Sequence, residues 1–198
     1  MHHNINLQGA IDHIFVRLKK ELNPNLYYHS RGHTKDVHRA CRRLLLTENI
    51  SSLEKILIET AACYHDSGML ITYNDHEEAS VRIINEVLPG YGYGPEHIEM
   101  IAKMIMCTKL PQIACGLNGK ILCDADMDYL GRSDFFMIAH RLRCEWEKMS
   151  TPYGLLDWYE FQLDFLLKHH YYTKSAQNLR EEGKQKNVAE IKRLLGKY

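Results

Sequence analysis

Three short stretches concentrate imidazoles and carboxylates at spacings that could do chemistry. In YYHSRGH (27–33), His29 and His33 stand four positions apart, which on a helix is one turn, about 6 Å along the axis. They could be two ligands to one metal, a ligand and an acid, or surface histidines. The zinc-protease motif HExxH has the same spacing, but this stretch reads H-S-R-G-H. The general-base glutamate is missing, so that reading fails on its chemistry. In AACYHDSGM (61–69), His65 and Asp66 close an apolar segment. A His-Asp pair there is costly unless it is paired or bound to metal. The commoner use of the dipeptide is a buried histidine hydrogen-bonded to a cap carboxylate. In ILCDADMDYLG (121–131), Asp124, Asp126 and Asp128 follow an apolar segment. Adjacent helical residues point about 100° apart, so the three cannot all face one ion. Asp126 lies one turn past Leu122 and shares its apolar face, which marks a carboxylate turned inward. An acidic helix start is the alternative.

The elements that must position these residues read as helices throughout. Ile11, Ile14, Phe15, Leu18 and Leu22 keep helical spacing up to a break at Pro24. A second stripe, Val37, Ala40, Cys41, Leu44 and Leu45, starts near Ser30 or His33. Ser51-Ser52-Leu53-Glu54 is an N-cap with an acidic first turn, and that helix runs to Gly68 as its stop. Further helices carry Ala79 to Val87, Ile98 to Ile105, and a segment around Ile121 to Ala125. Three more span 133–149, 155–171 and 173–195, with a turn at Thr151-Pro152-Tyr153-Gly154. The stretch PGYGYGP (89–95) is a turn or loop that could cover a pocket. EEGKQKNVAEIKRLL (181–195) is highly charged with a thin apolar stripe, and should lie along the surface or meet a partner. No alternating strand pattern stands out. The expectation is one all-α domain of about eight or nine helices over 1–198, with a motif-bearing part at about 26–135 and C-terminal helices at about 133–195.

Bulk composition narrows the function classes. The 198 residues include 45% hydrophobic and 25% charged side chains, ordinary for a globular domain. Lys+Arg and Asp+Glu both number 25, so the basic excess of proteins that hold phosphate backbones is missing, and a nucleic acid polymer is not an expected partner. No apolar run approaches the roughly 18 residues of a membrane span, and the N-terminus lacks the pattern of a secretory signal. The six cysteines, at 41, 63, 107, 115, 123 and 144, form no CxxC pair. A reduced, cytoplasmic setting is the expectation. His2 and His3 are assigned no function.

Taken in order, His33, then His65-Asp66, then Asp126, the chain resembles the HD-domain phosphohydrolase superfamily. The likeness extends around each motif: YHSRGHTKDV resembles the family's Tyr-His-x-x-x-His stretch and that of the related cyclic-nucleotide phosphodiesterases. AACYHDSG resembles Ala-Ala-x-x-His-Asp-x-Gly. DADMDYLGRSDF is similar to the version in predicted metal-dependent HD phosphohydrolases, including HD domains found with nucleotide cyclases. HEEAS (76–80), CTKLPQ (107–112) and FLLKHHYYTKSA (165–176) fit the same subgroup. The resemblance covers roughly residues 26–185.

The resemblance implies an all-α HD-domain bundle whose metal ligands are His33, His65, Asp66 and Asp126. Two imidazoles and two carboxylates suit one divalent ion, with Mn, Fe, Co, Zn and Mg not distinguished, that polarises a phosphoryl oxygen and lowers the pKa of water. His29 matches the general acid of the phosphodiesterase relatives. His76 and Cys107 fall near the positions where two-metal relatives place further ligands, but Cys107 departs from their histidine, so one metal is preferred over two. Thr108, Lys109 and Arg132 are candidates for substrate contact. Lys109 is equally well read as a solvated lysine at a helix end, and Cys107 as core. The implied partner is a small phosphorylated molecule, a nucleotide phosphomonoester or phosphodiester. The competing reading is a non-catalytic module that holds a metal and binds a nucleotide.

Overall fold

A computed structural model of the chain describes residues 5–149 and 152–197; His2, His3 and Thr151 lie outside the described residues. Among the described residues there are nine α-helices, three short 3-10 turns and no strand: α1 (Leu7–Glu21), α2 (Arg31–Leu44), α3 (Ser52–Tyr64), α4 (His76–Val87), α5 (Pro95–Thr108), α6 (Gly116–Asp126), α7 (Phe135–Met149), α8 (Leu155–Lys168) and α9 (Lys174–Leu194). Local chemistry starts several of them. Asn6 accepts from Gly9 N at α1, Ser30 from His33 N at α2, and Thr173 from Ala176 N at α9. At α3, Ser51 and Glu54 form a reciprocal capping box, satisfying two donors that the first turn leaves open. Pro95 supplies the preset φ of a first helical residue at α5. No helix is long and apolar enough to cross a membrane among the described residues.

α3 is the central element. Leu57, Ile58, Ala61, Ala62, Cys63 and Tyr64 are all buried, and the helix packs against α1, α2, α5 and α6. Its small residues let neighbouring backbones come close, while Ile14, Leu44, Ile84, Ile101 and Ile121 fill the space around it. A second apolar cluster joins α7, α8 and α9 to the turn Asp128–Gly131, through Leu130, Phe135, Trp158, Leu166, Val188 and Ile191. The site lies where the two clusters meet.

α9 departs from the surface position its composition suggests. It packs on the chain's own turn Asp128–Gly131 and on α8. Two glycines make the contact: a Cβ on Gly183 would lie 2.0 Å from Gly131 O, and one on Gly131 would lie 2.3 Å from Arg180 O. Asn187 Nδ2 donates to Leu130 O at 2.9 Å and to Arg132 O at 3.0 Å. The buried Lys184 donates through Nζ to His169 O at 2.8 Å. A helix that docks through backbone and polar side chains needs only a thin apolar stripe, which is why its sequence reads as exposed. PGYGYGP is not a lid. Tyr93 is buried with its hydroxyl 2.6 Å from Thr60 Oγ1, Tyr91 hydroxyl reaches His13 Nδ1 at 3.1 Å, and neither lines the cleft described below.

Gly183→Ala should destabilise the chain by about 1–3 kcal/mol through overpacking. Thermal unfolding followed by circular dichroism should show a drop of roughly 3–10 °C. An unchanged midpoint would mean that α9 does not seat on Gly131.

Candidate metal centre and cleft

α3 ends at Tyr64, with His65 as its C-cap, and Asp66 leads into the 3-10 turn Ser67–Leu70, so the helix stops earlier than the Gly68 its pattern predicts. Gly68 has a different role from helix stop. A Cβ there would lie 1.9 Å from His76 O, so only glycine lets the start of α4 approach this closely. Ser80 Oγ then bridges the two elements, donating to His65 O at 2.6 Å and accepting from Gly68 N at 2.7 Å. His65 Nδ1 faces Ala62 O at 3.0 Å and donates to it, which leaves Nε2 as the free lone pair. His33 is in the first turn of α2, with the Tyr28 ring packed 4.6 Å from its own.

Asp126 is the last residue of α6, where the helix dipole disfavours a carboxylate. The acidic run therefore does not mark a helix start, and each of its members is held by direct partners. Asp124 accepts from Tyr172 N (2.7 Å), Thr173 N (2.8 Å) and Thr173 Oγ1 (2.6 Å). Asp128 takes the Arg180 guanidinium at 2.7 and 3.1 Å. Asp126 turns inward, with one oxygen receiving Gln112 Nε2 at 3.0 Å.

Four side chains from three segments converge. His33 Nε2 lies 3.4 Å from Asp66 Oδ2 and 3.2 Å from Asp126 Oδ1. His65 Nε2 lies 3.2 Å from Asp66 Oδ2 and 3.5 Å from Asp126 Oδ1. Donors that share one ion at ~2.1 Å stand roughly 3–3.5 Å apart, and His33, His65 and Asp66 form a group compatible with a divalent metal, with Asp126 beside both imidazoles. His65 Nε2 and Asp66 Oδ2 are buried without a hydrogen-bond partner, a costly state that a cation relieves. Burial opposes charge on Asp126, yet His33 and His65 hold its carboxyl down at about 2. Burial likewise opposes charge on His65, and the adjacent Asp66 and Asp126 outweigh it, raising its pKa well above the ordinary value.

His33, Asp66 and Asp126 line a cleft walled by Leu110, Leu142, Trp146, Phe161 and Phe165, while His65 is buried and does not line it. Gln162 also lines it, with its buried Oε1 unpartnered. Neither lysine nor arginine is among the lining residues.

His29 differs from its expected place. It precedes the Ser30 cap, so it stands outside α2 and not one helical turn before His33. Its ring is 6.2 Å from that of His33 and 5.5 Å from that of His76. What orients it is Glu145 on α7, a fully buried carboxylate that the sequence reading passed over. Glu145 accepts from His29 Nδ1, from Tyr28 N at 2.8 Å, from His29 N at 3.0 Å and from Tyr73 hydroxyl at 3.2 Å. The signal was there to find: Glu145 continues the apolar positions Ile138 and Leu142 of its helix, where a carboxylate needs partners.

The remaining candidates divide. His76 lines the cleft with Nε2 3.3 Å from Asp66 Oδ1 and 3.6 Å from Glu77 Oε1, a looser second set that shares Asp66 with the first. Thr108 lines the cleft, its hydroxyl donating to Ile105 O at 2.7 Å. Lys109 does not line it; its amine is held by Asp75 at 2.7 Å and Glu78 at 2.5 Å. Arg132 pairs with Asp134 and Asp36 beside a separate shallow hollow on the other side of His33 and Asp126. Cys107 faces Cys115 and not the four converging side chains.

No family model matches the chain. An uncharacterized protein of Clostridium beijerinckii is 35% identical over 81 residues, 39% of this chain and 51% of that protein, so the chain spans about half the length of the curated relative it matches. Two solved structures are similar along nearly the whole length. One is a predicted HD superfamily hydrolase from an uncultured Thermotogales bacterium, at a TM-score of 0.65 and 19% identity, covering 97% of this chain and 92% of that one. The other, from Lactobacillus plantarum, has a TM-score of 0.67 and 17% identity, covering 94% and 97%. The chain shares the fold of these two structures, one of them a predicted HD superfamily hydrolase: a single all-α helical bundle.

Proposed function

We propose that the chain is a metal-dependent phosphohydrolase that cleaves a phosphomonoester or phosphodiester of a nucleotide. The observation that carries this reading is the buried, unpartnered pair His65 Nε2 and Asp66 Oδ2, facing His33 and Asp126 in an open cleft. His33, His65, Asp66 and Asp126 would hold one divalent ion, which supplies charge to polarise a phosphoryl oxygen and to make water acidic. Such an ion would favour entry of a phosphate. Asp66, Glu77 and Asp126 line the cleft and no lysine or arginine on its walls offsets them. His76 and Glu77 leave room for a second ion beside the first, though the first set is the tighter one.

The chain's own residues supply the proton. Glu145 takes His29 Nδ1–H, which fixes the ring, so the other ring nitrogen is the one that delivers a proton to the leaving oxygen. Tyr73 hydroxyl, on the same carboxylate, restricts Glu145 in turn. The aromatic wall favours a planar substituent on the phosphate, and the spare Gln162 amide oxygen accepts one hydrogen bond from such a group. These two features support a nucleotide over a small sugar phosphate.

His33→Ala should lose bound metal, read by elemental analysis, and all turnover. His29→Ala should keep the metal and slow turnover by roughly 10²–10⁴-fold. If His29→Ala loses metal as well, the division between ligand and acid is wrong. Glu145→Gln keeps the shape and removes the charge; kcat should fall by about 10²-fold with metal content unchanged. The function itself is tested with Mn²⁺-loaded protein on nucleoside monophosphates, cyclic nucleotides and glycerol phosphate, with His65→Ala as control. Hydrolysis retained by His65→Ala would reject the mechanism. Nucleotide binding without turnover would assign the cleft to a non-catalytic module.

A further inference from the structure

The loop joining α5 to α6 is bracketed by two thiols. Cys107 is buried in the last turn of α5, and the exposed Cys115 immediately precedes α6. Their Sγ atoms are 2.7 Å apart, and Cys115 N donates to Cys107 Sγ at 3.3 Å. Gly119 keeps this space clear: a Cβ there would lie 3.1 Å from Cys107 Sγ and 3.7 Å from Cys115 Sγ. An open hollow lined by Met106, Ile113 and both cysteines brings solution to the pair. The loop between them reaches the cleft. Leu110 lines it, Gln112 Nε2 donates to Asp126 Oδ2 at 3.0 Å, and Tyr172 hydroxyl donates to Gln112 O at 3.0 Å.

We propose that Cys107 and Cys115 form a reversible disulfide by exchange with a low-molecular-weight disulfide, and that the closed form fixes the intervening loop against Asp126. Exposure gives the first step to Cys115, since burial and then the contact with Cys115 push the Cys107 thiol up to about 11. The Cys115 thiolate attacks one sulfur of the small disulfide, breaks its S–S bond and expels one small thiolate, which takes up a proton. Cys107 then gives its proton to water and attacks Cys115 Sγ. The protein disulfide forms, the mixed disulfide breaks, and the second small thiolate leaves. Two protein thiols are oxidised, and one small disulfide is reduced to two thiols. Cys41 and Cys63 are buried, and Cys144 faces His140 at 3.5 Å on another element. Cys123 is the other thiol beside the pair, but its Sγ donates to Cys107 O at 3.2 Å, whereas Cys115 Sγ is the sulfur that faces Cys107 Sγ.

The test treats the full chain with oxidised glutathione and follows intact mass and mapped peptides. Wild type should lose two hydrogens, show a 107–115 link, carry no glutathione and revert with dithiothreitol. Cys107→Ser should instead stop at a glutathione adduct on Cys115, while Cys115→Ser should stay unmodified at Cys107. Amide exchange over 108–114 should slow about tenfold in the oxidised wild type. A stable adduct on wild-type Cys115, or six unreacted thiols, would overturn the disulfide. A disulfide that leaves exchange over 108–114 unchanged would overturn its hold on the loop. The wild-type arms need no variant to fold and no substrate, so they stand apart from the reading of the cleft as a phosphohydrolase site.

Discussion

Buried carboxylates need positive charge, and in this chain the surrounding residues provide little of it. Asp66 and Asp126 face the imidazoles of His33 and His65 at a cleft with no lysine or arginine on its walls. Full desolvation of two such groups costs several kcal/mol each unless a counter-charge is close. Two histidines can meet that need with protons, or a divalent ion can meet it better while the histidines stay neutral as ligands. Much of the architecture serves to hold the arrangement. Ser80 and Gly68 lock the turn after α3 onto α4, Ser30 starts the helix that presents His33, and Asp124 and Asp128 tie the ends of α6 and α9 together so that Asp126 is left to face inward.

His29 and the converging His-Asp set are positioned by different halves of the bundle. His33, His65, Asp66 and Asp126 come from the first apolar cluster and its edges, while Glu145, Trp146, Phe161 and Gln162 come from α7 and α8. His29 sits at the seam, next to α2 in sequence and bonded to α7 in space. Packing between the clusters therefore sets the distance from His29 to the other four side chains. On the proposed mechanism, a small shift there would misplace the proton donor while leaving the four intact.

Much of this was legible in the residues alone. Helical spacing and the Ser51 and Pro24 signals located the helices, and the order His33, His65-Asp66, Asp126 singled out the residues that converge. Asp126 stood out because it shares a face with Leu122. What stayed hidden depends on contacts distant in sequence. Glu145 is 116 residues from His29, and only the fold reveals the pairing. Local spacing put His29 on a helix, whereas the Ser30 cap ends the helix short of it. Lys109 was a candidate for phosphate because it ends the same helix as Thr108, but Asp75 and Glu78 had to be folded beside it to show where it points. α9 was misread because its docking is through glycine and amide contacts that hydropathy does not register.

The seating of α9 bears on how this chain can be divided. All four converging donors lie before residue 127, which invites treating the rest as an appendage. Yet Asp124, two positions before Asp126, accepts from the Thr173 amide at the start of α9, and Asp128 clasps the same helix two positions beyond Asp126. The ligand-bearing segment is thus spliced at both sides to the far end of the chain. Any shuffling, permutation or insertion that survives must keep 124–131 and 173–187 as one unit, because separating them would strip Asp124 and Asp128 of their partners and leave two free carboxylates beside Asp126.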